Sequence, residues 1–167
     1  MTRPENKQPF NIRKAEKKDV PLILDFIKKL AEYEHLSHEV VATEADLETY
    51  LFGEKKVAEV ILGYEGKLPV GFALFFHNFS TFLGKPGIYL EDLFVLESFR
   101  GRGYGKRLLA SLASLALERD CGRLEWAVLD WNEPSIEFYK SIGARMMDEW
   151  IVNRMTGESL VKLANRY

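Results

Sequence analysis

Residues 100–107 read RGRGYGKR, and this short segment decides how the rest of the sequence is interpreted. An apolar run typical of a strand precedes it, and Leu108, Leu109 and Leu112 follow at helical spacing. A helix N-terminus carries unpaired N–H groups and about half a positive charge. Glycines let a ligand approach the backbone closely. The glycines and basic residues of this loop therefore predict a pyrophosphate-binding turn.

Other phosphate-binding motifs fit the loop less well. A Walker A loop needs Ser or Thr after its lysine, and here Arg107 follows Lys106. A dinucleotide fingerprint needs G-x-G-x-x-G, whereas the spacing here is G-x-G-x-G. Glu125 lies at the distance of that fingerprint's acid only by count, and the chain has too few strand–helix units for the dinucleotide fold. A plain turn with solvated charges stays open as an alternative.

Length and composition bound the remaining possibilities. The chain has 167 residues, 47% of them hydrophobic and 29% charged, which is typical of one globular domain. We expect residues 1–9 to be a disordered lead-in and residues 10–167 to form the domain. With 23 basic and 25 acidic residues the net charge is −2, which disfavours a nucleic-acid or anionic-membrane partner. Without an apolar run of about 20 residues or a signal peptide, a cytoplasmic location is predicted. Cys121 is the only cysteine, and no metal site is predicted.

Strands and helices alternate along the chain, and this order predicts a mixed α/β sheet with both faces partly covered. The expected helices are 19–33, 132–143 and 159–163, together with one that follows a capping box at 43–46. A further helix is expected after the loop 100–105, with its apolar stripe at 108–116 and its end at Gly122. The expected strands are 10–13, 57–64, 70–77, 88–95, 124–129 and 149–155, with turns at 65–67 and 84–87.

Two carboxylates interrupt the apolar strand 88–95. A carboxylate inside such a run is costly unless it is paired or used. By strand alternation, Glu91 and Asp92 are expected on opposite faces of the sheet. We interpret Glu91 as functional and Asp92 as structural.

The loop resembles a known family. Arg100, Gly103 and Gly105 match R-x-x-G-x-G, the acetyl-CoA pyrophosphate loop of the GCN5-related N-acetyltransferases. Residues 89–95 (YLEDLFV), 130–135 (DWNEPS), 138–140 (FYK) and 30–34 (LAEYE) resemble the diamine (spermidine/spermine) branch. This resemblance implies a single-domain mixed sheet with splayed central strands and helices on both faces. It also implies acetyl-CoA as co-substrate, a small amine as acceptor and a homodimer.

The resemblance also implies roles for individual residues. Tyr139 lies near the thioester sulfur as the acid, and Glu91 is the base. The acetyl-CoA-binding residues are Leu93, Phe94, Val95, Arg100, Gly101, Arg102, Gly103, Tyr104, Gly105, Lys106, Asn132, Glu133, Pro134, Ser135 and Tyr139. The amine-pocket residues are Tyr33, Glu34, Glu91, Glu125, Trp126 and Glu149.

Acetylation of an amine requires a group that accepts a proton and a group that donates one. An alkylamine with a pKa of about 10.4 is protonated at pH 7, and removing that proton costs about 4.6 kcal/mol. Glu91 is expected to receive it through a bridging water. Phenols, with a pKa of about 10, keep their proton at pH 7, so Tyr139 serves as an acid or as a hydrogen-bond donor to sulfur. The sequence thus predicts an N-acetyltransferase for a primary amine of a diamine or polyamine. The alternatives are a protein, peptide or amino-acid acetyltransferase of the same fold, or a non-catalytic acyl-CoA-binding module.

Overall fold

The computed structural model describes residues 8–166, which fall into two compact units, 8–127 and 128–166. The first unit is a five-stranded sheet in the order β1-β2-β3-β4-β5, in which only the β4–β5 pair is parallel. Its strands are β1 (Phe10–Lys14), β2 (Glu59–Glu65), β3 (Leu68–Ser80), β4 (Lys85–Val95) and β5 (Leu124–Trp126). Its helices are α1 (Val20–Tyr33), α2 (Glu44–Leu47) and α3 (Tyr104–Glu118). The predicted mixed sheet is confirmed.

Helices cover both faces of this sheet. Phe26 of α1 stacks on Phe72 of β3, with 5.5 Å between the ring centroids, and Leu62 of β2 belongs to the same buried cluster. The next residue, Gly63, faces the other way, and a Cβ placed there would lie 3.6 Å from Leu108 of α3. Because neighbouring strand residues project to opposite faces, α1 and α3 pack on opposite sides.

An ion pair fixes the start of α1. Asp19 stands at the N-cap position predicted for it, but its carboxylate caps no helical N–H. Instead it accepts hydrogen bonds from both terminal nitrogens of Arg13, at 2.7 and 2.8 Å, and from the Glu16 N–H. Arg13 also donates to the Tyr64 hydroxyl at 2.7 Å, which links the pair to β2. Hydrogen bonding from Arg13 lowers the pKa of Asp19.

Two local sequence signals have different outcomes: the one at the start of α2 is confirmed, and the one for a turn is wrong. The capping box is confirmed, since the Asp46 N–H donates to Thr43 Oγ1 and Asp46 accepts from the Thr43 N–H. The turn predicted at residues 84–87 is wrong, because the turn lies at residues 81–84 and Pro86 and Gly87 pair within β4. A Cβ on Gly87 would come within 2.3 Å of Asn78 Oδ1, so this glycine permits close strand packing instead of a turn.

The second unit contains two helices, α4 (Glu133–Ser141) and α5 (Gly157–Ala164). The strand predicted at 149–155 is wrong: residues 150–156 have no regular structure, and Ile151 is 84% exposed. Apolar β-branched residues favour a strand, but a strand also needs a neighbour for its backbone hydrogen bonds. The strand predicted at 124–129 likewise ends at Trp126. No helix within residues 8–166 is both long and apolar enough to span a bilayer.

Candidate active site

The glycine-rich loop joins β4 to α3. A 3-10 turn at Glu97–Phe99 follows the strand, and Gly101 and Gly103 then take positive φ angles of 73° and 82°. Only glycine adopts these angles without strain. Gly103 is the N-cap of α3, so no cap side chain covers the first N–H groups of this helix. No described atom lies within 4 Å of a Cβ built on either glycine. The backbone at the start of α3 therefore fits a pyrophosphate.

Three of the four cations in the loop are engaged by the protein itself. Arg102 pairs with Glu65 at 3.0 Å, and Arg107 donates to the Phe10 carbonyl at 3.0 Å. Arg100 donates through Nε to the Val95 carbonyl, also at 3.0 Å. Lys106 is exposed and makes no ion pair with any residue from 8 to 166. These contacts leave the Lys106 ammonium and the backbone N–H groups of the loop available to a phosphate group.

Beside the loop, β4 has an edge that β5 does not cover. Pairing of β4 with β5 spans Ile88–Leu90, opposite Leu124–Trp126, and stops there. Among the described residues, Leu93–Val95 pair only with β3. Their other backbone edge is available for hydrogen bonds to an extended ligand, as a pantetheine arm would need. This early end of the β4–β5 pairing is the predicted splay of the central strands.

The two carboxylates of β4 lie at an irregularity in this strand. Leu74 of β3 pairs with Asp92 and Phe75 pairs with Leu90, so Glu91 is the extra residue of a β-bulge. Leu74 and Phe75 face opposite sides, and therefore Leu90 and Asp92 do as well, although they are two residues apart. The bulge therefore interrupts the regular alternation on which the sequence analysis relied, because it shifts the pattern by one residue between Leu90 and Asp92.

Asp92 is the carboxylate that this arrangement perturbs most. It is half-buried, whereas Glu91 is exposed. Burial, followed by the negative charges of Glu91 and Glu34, raises the pKa of Asp92 to about 7. Burial also raises the pKa of Glu34, which caps the C-terminus of α1. A carboxylate whose pKa lies near 7 can take up and release a proton at neutral pH.

Asp92 is a further candidate functional residue, although the sequence analysis interpreted it as structural. A sequence signal was present, since two consecutive acids in an apolar strand break its pattern and favour a bulge near a functional site.

The remaining predicted pocket residues of the first unit differ in their surroundings. Tyr33, at the end of α1, lies with its ring centroid 4.3 Å from the Arg100 guanidinium carbon. Glu125 of β5 is half-buried and accepts a hydrogen bond from Asn78 at 2.8 Å. Its carboxylate also lies 2.8 Å from Arg123 Nε. Trp126 is half-buried opposite Leu90. The structure therefore brings Tyr33, Glu34 and the bulge together with Arg100, and gives Glu125 partners of its own.

The other predicted residues belong to the second unit. Asn132 is the buried N-cap of α4, and its side chain accepts from the Ser135 N–H. Glu133 and Pro134 form the first turn of this helix, where proline needs no hydrogen-bond donor. Tyr139, on the same helix, is buried and lies against Phe138 with 5.3 Å between ring centroids. Glu149 is exposed outside any strand and lies 3.4 Å from Arg145.

Comparison with known proteins identifies the family. Residues 24–144 match the model of the acetyltransferase (GNAT) family. The chain belongs to this family. A thialysine N-epsilon-acetyltransferase of Mus musculus is 37% identical, and the match covers 93% of this chain and 97% of the mouse protein. An L-ornithine N5-acetyltransferase of Arabidopsis thaliana is 33% identical, with 95% of this chain and 90% of the plant protein covered.

A solved structure agrees with the family fold. An integron cassette protein from the mobile metagenome of V. cholerae superimposes with a TM-score of 0.79. The two sequences are 32% identical, and the match covers 93% of this chain and 98% of that one. The resemblance to the diamine branch of the GNAT family is confirmed, and the chain is an N-acetyltransferase.

Proposed function

We propose that this GNAT enzyme transfers the acetyl group of acetyl-CoA to a terminal primary amine of a small cationic alkylamine. This class includes diamines, polyamines and diamino acids. The names of the mouse and Arabidopsis relatives specify diamino acids as acceptors, which supports this choice. The observation that carries the proposal is the half-buried Asp92, on which the acids Glu91 and Glu34 act. A cationic amine would relieve the repulsion among these groups.

The carboxylates supply the proton acceptor that the reaction needs. An ammonium group must lose its proton before its nitrogen can attack a thioester, at a cost of about 4.6 kcal/mol at pH 7. Sequence reasoning assigned this task to Glu91. The burial of Asp92 and its pKa of about 7 favour Asp92 as the proton acceptor, with the exposed Glu91 attracting the cation. A carboxylate with a higher pKa is also the stronger base.

Acetyl-CoA, when bound, supplies a thioester activated for acyl transfer. The N–H groups of Gly101–Lys106 and the Lys106 ammonium would hold its pyrophosphate, and the edge of Leu93–Val95 would hold its pantetheine arm. A main-chain N–H at Leu93 or Phe94 would polarise the acetyl carbonyl oxygen. Asn132–Ser135 would add contacts to the cofactor. Tyr139 would donate a hydrogen bond or its proton to the leaving sulfur.

Two further predictions from the sequence stay proposals. A homodimer is supported by a run of exposed apolar side chains at residues 150–152, in which Trp150 is 70% exposed and Val152 80%. The predicted cytoplasmic location stays a prediction.

An amine panel tests the proposed reaction. The purified protein is mixed with acetyl-CoA, and the release of free thiol is measured with putrescine, spermidine, L-ornithine, thialysine, tyramine and a peptide with a free N-terminus. We expect the alkylamines that carry a second cationic or polar end to give the highest kcat/KM. Matched controls are the same amines with the terminal nitrogen already acetylated, which should release no thiol.

The panel also separates the alternatives. A preference for the peptide would favour a protein N-acetyltransferase, and a preference for tyramine would contradict an acid-lined alkylamine site. Acetyl-CoA binding without turnover of any amine would favour a non-catalytic binding module.

A further inference from the structure

Arg100 opens the glycine-rich loop, but its side chain turns back toward β4 and α1. Its backbone N–H donates to the Glu97 carbonyl at 3.1 Å, and its Nε donates to the Val95 carbonyl at 3.0 Å. The guanidinium carbon lies 4.3 Å from the centroid of the Tyr33 ring and 5.6 Å from that of Phe94. These contacts occupy the face and one edge of the guanidinium group within the protein.

Through these contacts, Arg100 connects the two halves of the proposed site. Its backbone belongs to the loop that is proposed to hold acetyl-CoA. Its side chain lies on Tyr33, the last residue of α1, and Tyr33 is followed by Glu34. Glu34 in turn acts electrostatically on Asp92. A planar guanidinium group stacks on an aromatic ring and donates in a fixed direction, so it can hold the end of α1 against β4.

The other basic residues of the loop do not reach α1. Arg102 pairs with Glu65 and stacks on Phe99, 4.8 Å from that ring's centroid, which ties the loop to β2. Lys106 is exposed on the first turn of α3 and makes no ion pair within the described range. Arg100 therefore differs from Arg102 and Lys106, because its side chain contacts Tyr33 of the proposed amine site.

We propose that Arg100 is a positioning residue for the amine side of the reaction, acting through Tyr33, and that it is not a ligand of the acetyl-CoA pyrophosphate. This inference rests on the proposed function. It reassigns the basic residue of the R-x-x-G-x-G pattern from phosphate binding to the placement of Tyr33 and Glu34. The loop backbone and Lys106 carry the phosphate contacts.

Replacing Arg100 by Lys separates the two roles, because Lys keeps the positive charge but loses the planar stacking group. A phosphate ligand should be rescued by Lys, whereas a stacked positioning residue should not. For Arg100→Lys we expect kcat/KM for the preferred amine to fall about tenfold or more, with the Kd for acetyl-CoA changed by less than about threefold. The Kd is measured by calorimetry without amine. Lys106→Gln is the control that should weaken acetyl-CoA binding and reduce its dependence on salt.

Tyr33 provides the second arm of the test. Tyr33→Leu removes the ring that Arg100 contacts, and it should lower amine kcat/KM more than Tyr33→Phe does, since Phe keeps the ring. The double variant Arg100→Lys/Tyr33→Leu should be no worse than the more severe single variant, because both remove the same contact. If an Arg100 variant does not fold, as judged by its thermal melt, the Tyr33 pair tests the same contact.

The opposite results are equally clear. Wild-type amine kinetics in Arg100→Lys, a matching loss of acetyl-CoA affinity in Arg100→Ala, or full additivity of the two sites would overturn the positioning role. Failure of the proposed function gives a different result, since the wild-type chain would then bind no acetyl-CoA or acetylate no amine. If the wild-type chain binds acetyl-CoA but acetylates no amine, the calorimetric Kd of Arg100→Ala decides whether Arg100 contacts phosphate. If the wild-type chain binds no acetyl-CoA, the positioning role is overturned together with the proposed function.

Discussion

Two aspartates of the first unit show how one side chain type serves two different purposes. Asp19, before α1, has a side chain that is 8% exposed and holds both terminal nitrogens of Arg13. That contact lowers its pKa. Asp92, on β4, is half-buried next to two other acids, and its pKa rises to about 7. At Asp19 the hydrogen bonds from Arg13 outweigh the effect of burial, whereas at Asp92 burial and the neighbouring acids both raise the pKa.

This difference separates an acid that stabilises the fold from one that is proposed to act in catalysis. A buried carboxylate with a cation beside it stabilises the fold in its charged form. A carboxylate buried among acids opposes folding once it ionises, and a protein tolerates such a group mainly where function needs it. An arriving ammonium group would give Asp92 the partner that Arg13 gives Asp19.

The largest expected effect is on turnover. Asp92→Asn keeps the shape of the side chain but removes the proton acceptor, so kcat should fall about 10²–10⁴-fold. Wild-type kcat/KM should rise as the pH increases through about 7, because Asp92 must lose its proton to act as a base. The variant should lack this rise. Initial rates of thiol release between pH 5.5 and 9 measure both quantities.

Glu91→Gln is the matched control for this prediction. Glu91 is exposed next to Asp92 on the bulge, so its substitution should weaken the attraction of the amine. It should reduce kcat less than Asp92→Asn does. If Glu91→Gln abolished turnover while Asp92→Asn left it intact, the base would be Glu91, as the sequence alone indicated.

The second effect is on stability, and its sign is opposite to that on turnover. Because the folded-state pKa of Asp92 lies above the unfolded value of about 3.9, stability declines as the pH rises from about 4 through about 7. Asn imitates the protonated form and escapes this decline. Asp92→Asn should therefore stabilise the fold by up to roughly 4 kcal/mol at pH 8, and by roughly 1–2 kcal/mol at pH 5. Urea unfolding at the two pH values measures the difference.

The exposed Glu91 again provides the control. Glu91→Gln should change the unfolding midpoint little at either pH, since surface substitutions stay within about 0.5 kcal/mol. A loss of stability in Asp92→Asn at pH 8 would show that Asp92 has a stabilising partner, and the comparison with Asp19 would fail.

The contrast also explains what the sequence could and could not predict. The glycine spacing before α3, the capping box at Thr43 and the apolar stripe of α1 are local signals, and each placed its element correctly. The bulge at Glu91 depends on the pairing of two strands far apart in the chain. Local alternation has no information about such pairing, so it did not predict that Leu90 and Asp92 project to opposite faces.

Contacts between residues far apart in the chain were also not predicted in the candidate site. The motif identified the loop, but not that Glu65 and the Val95 carbonyl occupy two of its arginines. Glu65 comes from β2, and only the folded chain brings it to the loop. The exposed segment around Ile151 had the composition of a strand but no neighbour to pair with in its own unit.

The smallest effect is expected at the paired aspartate. Asp19→Asn removes the negative charge opposite Arg13 and should cost about 1–3 kcal/mol of folding stability at pH 7. Because the folded-state pKa of Asp19 is lowered, its contribution exists above the unfolded value of about 3.9 and is lost as the pH falls below it. The penalty should therefore shrink in acid, whereas the effect that shrinks in acid for Asp92→Asn is a gain in stability. Asp25→Asn, at an exposed acid of α1 paired with Lys29, is the control and should cost less than about 0.5 kcal/mol. Turnover per folded molecule should match the wild type in both variants, and a stability gain for Asp19→Asn at pH 7 would contradict the view that its surroundings, and not its burial, set its role.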